Sequence, residues 1–318
     1  MNAAHIPVLA PEMLAALDPQ DGQTYLDGTF GLGGYSRAIL EAADCAVYAL
    51  DCDPYAISHG NALAKTFGDR LTMLQGRFGT MIELLRVVGI KRLDGIVLDL
   101  GVSSPQLDDA ARGFSFRHDG PLDMRMMQDG QTAADIVNGL NEKPLAALIR
   151  ELGEERHARR VARAIVIARN NSPIESTLQL ARIVREALPH AKDGIDPATR
   201  TFMALRIHVN NELEELERGL RAAETLLQPG GRLVVVCFHS LEDRRVKNFL
   251  RVRSGGAPRV SRHLPQQGPG PTPSFSLVHR SGTTPSDAEI TTNPRARSAR
   301  LRAAIRTDAP AWPLEDAA

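Results

Sequence analysis

Three aspartates and a crowd of glycines are the residues of this chain best suited to chemistry. Asp27 opens the stretch DGTFGLGGYS, in which Gly28, Gly31, Gly33 and Gly34 fall within seven positions. Glycines at that density let backbone N–H groups approach a ligand with no Cβ in the way; they also serve any tight turn that needs positive φ. Tyr25–Leu26 suits the end of a buried strand, and Ser36–Leu40 suits the start of a helix. A strand, a Gly-rich turn and a helix form a common setting for a nucleotide-type cofactor. Asp51, in ALDCDP, lies eighteen residues after Gly33. At the end of a second strand, a carboxylate can accept hydrogen bonds from both hydroxyls of a ribose. Asp99 closes the apolar run DGIVLD and is followed by LGVSSP.

Two cofactors compete for this pattern, a dinucleotide and S-adenosylmethionine, and three features favour the second. A carboxylate at Asp27 would repel a pyrophosphate, whereas a sulfonium and an ammonium are compatible with it. Asp99 is placed where an open α/β sheet opens on its ligand crevice, and an amine-directed methyltransferase needs an acceptor for a substrate N–H there. A purely structural or cofactor-holding Asp99 is the competing reading. Third, LLQPGGRLVVV is similar to the fifth-strand region of many class I methyltransferases. Asp27 and Asp53 are second-tier candidates, Asp53 being better suited to cap a helix that starts at Pro54.

These residues need a sheet to position them. Strand patterns at 24–26, 46–50, 71–74 and 94–99 alternate with helix patterns at 36–43, 54–66 and 79–88, an order that predicts a parallel sheet with helices on both faces. A Gly/Pro/Asp-rich stretch follows at 101–131, then helical patterns at 132–139, 142–152, 154–170, 176–188 and 197–225. The strand pattern returns at Arg232–Phe238, and Arg295–Arg306 can supply a last strand. The expected fold is an α/β methyltransferase-type sheet interrupted by a mostly helical insertion, with boundaries at 1–105, 106–205 and 206–318. Residues 254–273, rich in Gly, Pro, Ser and Gln, are expected to be mobile.

Composition excludes more than it selects. The 318 residues carry 38 basic and 38 acidic side chains, so net charge names no partner. Its distribution is more telling, because residues 251–306 hold ten arginines against Asp287 and Glu289, a field that could meet phosphates or be a solvated tail. Cys45, Cys52 and Cys237 have no paired spacing and form neither a zinc site nor a disulfide framework, which suits a reducing compartment. The N-terminus lacks the pattern of a secretory signal, and no apolar run approaches a membrane span. The expectation is a cytoplasmic protein with no membrane partner.

Eight motifs run in order along nearly the whole chain: HIPVLAPE (5–12), DGTFGLGGYS (27–36), DCDPYAI (51–57), DGIVLDLGVSSPQLDDAARGFSFRHDGPLDMRM (94–126), GEER (153–156), PATRTFMALRIHVNNEL (197–213), PGGRLVVVCFHSLEDRRVK (229–247) and NPRARSARLR (293–302). Together they resemble the RsmH (MraW) family, bacterial methyltransferases that modify the N4 amine of a cytosine in the decoding region of 16S rRNA. The resemblance implies a class I methyltransferase core with an inserted helical domain, S-adenosylmethionine as cofactor, and 16S rRNA or the small ribosomal subunit as partner. A homodimer is also associated with the family. It implies cofactor contacts at Gly33, Gly34, Tyr35, Asp51, Phe78, Asp99 and Gln106. Where the family often has Gly-Gly-His, this chain has Gly33-Gly34-Tyr35, so the resemblance carries over the backbone of that turn and no imidazole.

The chemistry so implied needs no metal and no cysteine nucleophile. The cytosine N4 lone pair is delocalised into the ring, and Asp99 is the candidate catalytic acceptor for its N–H, assisted by carbonyls around Gly101–Val102. Phe114, Phe116, Arg117, His239 and Ser240 are candidates to hold the base, with packing the stronger reading for both phenylalanines. Arg200, Arg206 and the arginines from 295 to 302 are candidates for phosphates, although Arg200 can equally pair with the acids at 212–217. The competing classes are a DNA or protein methyltransferase, an oxidoreductase and a non-catalytic RNA-binding module.

Overall fold

The computed structural model describes residues 7–188, 194, 196–256 and 271–313. They form two compact units, Met1–Gly101 with Glu214–Ala318, and Val102–Leu213. The expected cuts at 105/106 and 205/206 differ from these by a few residues. The second falls inside helix 198–210, whereas the observed boundary lies near the break at Asn211.

The first unit opens with α1 (Ala10–Leu17), then β1 (Thr24–Asp27), α2 (Gly34–Ala42), β2 (Ala46–Asp51), α3 (Pro54–Phe67), β3 (Leu71–Gln75), α4 (Met81–Val87) and β4 (Leu93–Asp99). The second unit contributes α5 (Ser104–Asp108), α6 (Ala133–Gly139), α7 (Glu142–Gly153), α8 (Ala158–Arg169), α9 (Thr177–Ala187) and α10 (Ala198–Asn210). The chain then returns to the first unit along α11 (Glu212–Leu226), β5 (Leu227–Cys237), α12 (Ser240–Arg253), β6 (Phe275–Leu277), α13 (Asp287–Thr292) and β7 (Arg300–Arg306).

The strands make one seven-stranded sheet in the order β3-β2-β1-β4-β5-β7-β6. The first five are parallel; β7 runs antiparallel to β5, and β6 antiparallel to β7. Strand residues alternate between two apolar layers. Tyr25, Val47, Val97 and Val234 face Met13, Ile39 and Leu63, whereas Leu26, Leu50, Ile96 and Val235 face Leu85, Leu220 and Val246. Both faces are therefore covered, which is why the central strands read as nearly continuous apolar runs.

The sequence pattern misplaces some boundaries for local reasons. The expected helix 197–225 breaks at Asn211, whose φ of 55° is left-handed and which caps α10. Asparagine tolerates that conformation better than most residues. Strand β5 reaches back to Leu227 through a register shift opposite Leu93 and Gly95, because Pro229-Gly230-Gly231 bulges out of the ladder. Helices α1, α5, α12 and α13 and the short β6 have no counterpart among the expected elements. Residues 257–270 of the 254–273 stretch lie outside the described residues.

In the second unit the long 101–131 segment is a packed part of the core. Phe114, Leu122 and Met124 are buried with Ile149, Ile165 and Phe202. Asn210 on α10 donates to the Met124 carbonyl at 2.8 Å and accepts from the Met126 N–H at 2.8 Å.

Candidate active site

The sheet order reverses between β1 and β4, so the carboxyl ends of these strands border the crevice where open α/β sheets take their ligands. Three adjacent parallel strands, β2, β1 and β4, each end in an aspartate there: Asp51, Asp27 and Asp99.

Asp27 is fully buried and accepts from Ser36 Oγ at 2.7 Å and from the Thr29 N–H at 3.2 Å. Loss of water dominates, and its carboxyl is pushed up to about 6. Asp51 accepts from the Gly31 N–H and the Asp53 N–H, each at 2.8 Å, which ties the Gly-rich turn to the end of β2. Burial still raises its pKa against those two bonds. Asp53 accepts from the Tyr55 N–H at 3.0 Å and caps α3, as its position before Pro54 leads one to expect.

Asp99 differs from both. Its backbone N–H donates to Thr29 Oγ1 at 2.6 Å, but its own Oδ1 is buried and has no hydrogen-bond partner among the described residues. Desolvation, then the neighbouring charges of Asp27 and Glu242, hold this carboxyl well above the ordinary carboxylate range. An unpaired buried carboxylate oxygen is costly and marks a place where a donor or a cation is due. Three carboxyls disfavoured as anions at one sheet edge suit a cationic ligand and oppose a pyrophosphate. The donor set therefore fits the sulfonium and ammonium of S-adenosylmethionine.

The turn between β1 and α2 owes its glycines to packing as well as to a ligand. A Cβ on Gly28 would stand 2.5 Å from Leu98 Cδ2, so β1 and β4 approach closely only with glycine there. Gly33 caps α2 with a φ of 75°, and a Cβ on Gly34 would meet Pro7 at 3.0 Å. Tyr35 is buried and its hydroxyl donates to the Val8 carbonyl. The phenol is thus committed to the N-terminal segment, and the turn offers only backbone at Gly33, Gly34 and Tyr35. Phe78, just after β3, packs its ring against Gly219 of α11, with its Cβ over Gly28.

Gln106 belongs to the second unit. It is buried, not a solvent-facing loop residue, and its Oε1 accepts from the Ser103 N–H at 3.0 Å in the capping box of α5. Phe114 lies in the second unit's core, and Phe116 stacks edge-on against Phe202 with centroids 4.8 Å apart. Both are packing residues. Arg117 is exposed. Arg206 makes a two-pronged pair with Glu212 at 2.8 and 2.9 Å, and Arg200 lies 3.7 Å from Glu155. His239 caps α12, with Nε2 3.0 Å from Glu242 Oε1. Burial pushes the Cys52 thiol up to about 12, so it offers no thiolate beside Asp51.

Sequence reasoning missed Thr29, Ser36 and Glu242. Glu242 is buried and accepts from the Phe238 N–H at 2.8 Å, so it fixes the turn after β5 and bears on Asp99 electrostatically. Its signal was readable: a capping residue at His239 with an acid three positions on.

The sequence profile of the MraW methylase family matches residues 2–307. The chain belongs to the MraW methylase family. It is 62% identical to the Ribosomal RNA small subunit methyltransferase H of Rhodospirillum centenum, over 99% of this chain and 95% of that protein. It is 59% identical to the protein of the same name from Paramagnetospirillum magneticum, over 97% of each. Among solved structures, an rRNA methylase from Streptococcus thermophilus gives a distant likeness, with 10% identity, 93% of each chain covered and a TM-score of 0.41. Among the described residues, no helix of this MraW methylase is long and apolar enough to cross a membrane.

Proposed function

We infer that the protein transfers a methyl group from S-adenosylmethionine to the N4 amine of a cytosine in the decoding region of 16S rRNA. The observation that carries this reading is family membership over residues 2–307, with relatives at 62% and 59% identity named for methylation of small-subunit rRNA. Those relatives span nearly the whole chain, so the function belongs to the full protein and not to a shared module.

S-adenosylmethionine supplies the electrophilic methyl group. Asp51 is assigned to the ribose hydroxyls, since an ionised acceptor gives the stronger hydrogen bonds. The backbone of Gly33, Gly34 and Tyr35 and the side chain of Phe78 are assigned to the rest of the cofactor. Gln106 is assigned an indirect part, capping the helix that follows the LGVSSP loop. The unit Val102–Leu213 is assigned to substrate recognition.

Asp99 is the proposed catalytic residue. Its unpartnered Oδ1 is an acceptor with no prior commitment, and a positive charge placed beside it favours the ionised form. Accepting an N4–H bond there draws electron density back onto the nitrogen as it becomes tetrahedral. Alignment of the amine with the methyl donor then supplies most of the acceleration. Thr29 acts earlier, by fixing the Asp99 backbone through Oγ1. The reaction is assigned to the cytoplasm, on 16S rRNA either free or within the small subunit.

The test is a tritiated-methyl assay on 16S rRNA from a strain lacking the gene, followed by nuclease digestion. Label in N4-methylcytidine from the decoding region is the expected result. Label in another nucleoside or in protein, or none, refutes the assignment.

A further inference from the structure

Arginine content alone points to RNA contact in the segment 251–306, but several of those arginines are engaged inside the protein. Arg302 makes a two-pronged pair with Asp243 at 2.6 and 3.0 Å, and Arg253 reaches Glu224 at 3.2 Å. Arg306 is buried and donates to the Glu224, Ser274 and Thr307 carbonyls. Arg259 and Arg262 lie outside the described residues.

The inserted unit carries a different basic surface. Residues 156–174 contain five arginines and no acid. Arg169 is structural, donating to the Val137 and Leu140 carbonyls at 2.6 and 2.7 Å. Arg156, Arg159, Arg160 and Arg163 are all exposed, and none of their side chains makes a hydrogen bond or ion pair among the described residues. Helix α8 buries Ala158, Val161, Ala162 and Ile165. At 3.6 residues per turn these fall on one side, and Arg159, Arg160 and Arg163 fall on the opposite side, with Arg156 one turn before them. Ile167, 56% exposed, continues the same stripe.

This arrangement opposes helix stability. Arg159 and Arg160 sit in the first turn of α8, at the positive end of its dipole, and no acid shares that turn. Arg159 with Arg163, and Arg160 with Arg163, are like-charge neighbours at helical spacing. A bound polyanion would relieve both penalties. Guanidinium forks match phosphate oxygens in pairs, and Arg159 and Arg163 stand about 6 Å apart along the axis, close to two nucleotide steps of a stacked strand.

We propose that this face of α8, formed by Arg156, Arg159, Arg160 and Arg163, docks the sugar–phosphate backbone of the rRNA substrate. The proposal rests on the functional reading above and names the surface by which that substrate is held. The contacts are to backbone, so they set affinity and register, and the base is selected elsewhere.

The test uses the full-length protein carrying Arg159→Gln, Arg160→Gln and Arg163→Gln together, with circular dichroism to confirm the helices. Binding to a fluorescently labelled 16S rRNA decoding-region fragment is titrated between 50 and 200 mM salt. Loss of three phosphate contacts flattens the slope of log K against log salt by about 2, so the wild-type advantage shrinks about 20-fold across that range. The corresponding triple lysine variant, which keeps the charge, retains the steep slope. A glutamine variant with the wild-type slope overturns the proposal. So does a slope that flattens only when Arg295 and Arg297 are neutralised. Methyl transfer by the wild type, run in parallel, separates the two ideas. Transfer with an unchanged variant slope refutes the docking face alone. Salt-sensitive binding that depends on α8 without any methyl transfer refutes the functional reading and supports the face.

Discussion

The substitution Asp27→Asn should stabilise the cofactor-free protein at neutral pH and leave it unchanged in acid. The carboxyl titrates near 3.8 in the unfolded chain and near 6 in the folded one. Between those values the folded state holds a proton that the unfolded state has released, so unfolding free energy falls as pH rises. The stabilisation is complete below about pH 4 and gone above about pH 6.5. A gap of about 2 units at about 1.4 kcal/mol each amounts to about 3 kcal/mol over the whole window. The substituted amide keeps the local bonds, because its oxygen can accept from the Thr29 N–H and its nitrogen can donate to Ser36 Oγ. It also removes a repulsion felt by Asp51 and Asp99. Urea unfolding of both proteins at pH 4.5, 6 and 7.5 reads the effect. The single tryptophan, Trp312, bonds to Glu224 and to the Thr272 carbonyl, so its fluorescence reports the sheet-bearing unit. The variant should gain on the wild type by about 2 kcal/mol between the lowest and highest pH, the share of the window lying above the lowest point. A difference constant across that range refutes the reasoning, because it would mean Asp27 titrates alike in both states.

Asp99→Asn keeps shape and hydrogen-bonding capacity but loses the charge; single-turnover methyl transfer should fall about a hundredfold or more while cofactor affinity changes little. Full recovery of the rate at saturating S-adenosylmethionine would assign Asp99 to cofactor binding instead. Asp51→Ala should weaken cofactor binding by about 2–4 kcal/mol in calorimetry, through the lost ribose bonds and the freed Gly31 N–H; unchanged affinity with an intact fold would remove Asp51 from the site. Arg302→Ala should lower stability by about 2–3 kcal/mol, since among the described residues it leaves Asp243 with Arg300 at 3.7 Å. It should not alter the salt dependence of rRNA binding, and a flattened slope would return Arg302 to the RNA surface.

The parts of this fold that could be read from the sequence are those set by short-range rules. The central strands announce themselves as apolar runs because both sheet faces are covered. The Gly-rich turn and the Asp53 cap follow from backbone conformations that few residues tolerate. The Asn211 break and the His239–Glu242 cap carry equally local signals, which hydrophobic periodicity alone does not capture. The aspartates at 27, 51 and 99 could each be assigned to a strand end, because a strand end is a property of a few consecutive residues.

Side-chain commitments could not be read, because each depends on a partner distant in the chain. Tyr35 reads as part of the ligand turn, yet its hydroxyl is spent on the Val8 carbonyl, 27 residues away. Arg302 and Arg306 read as free charges in a basic tail, yet Asp243 and the carbonyls of Glu224 and Ser274 claim them. The arginines of α8 are equally plain in the sequence, and only folding shows that no acid among the described residues pairs with them. The sequence by itself determined which residues stand at the ends of the strands. The tertiary structure decided which of them lost water and which kept a partner. Desolvation and pairing are set by what the rest of the chain packs around a group, and they turn three similar aspartates into a hydrogen-bonded buried acid, a clamp on the glycine turn and an acceptor with nothing yet to accept.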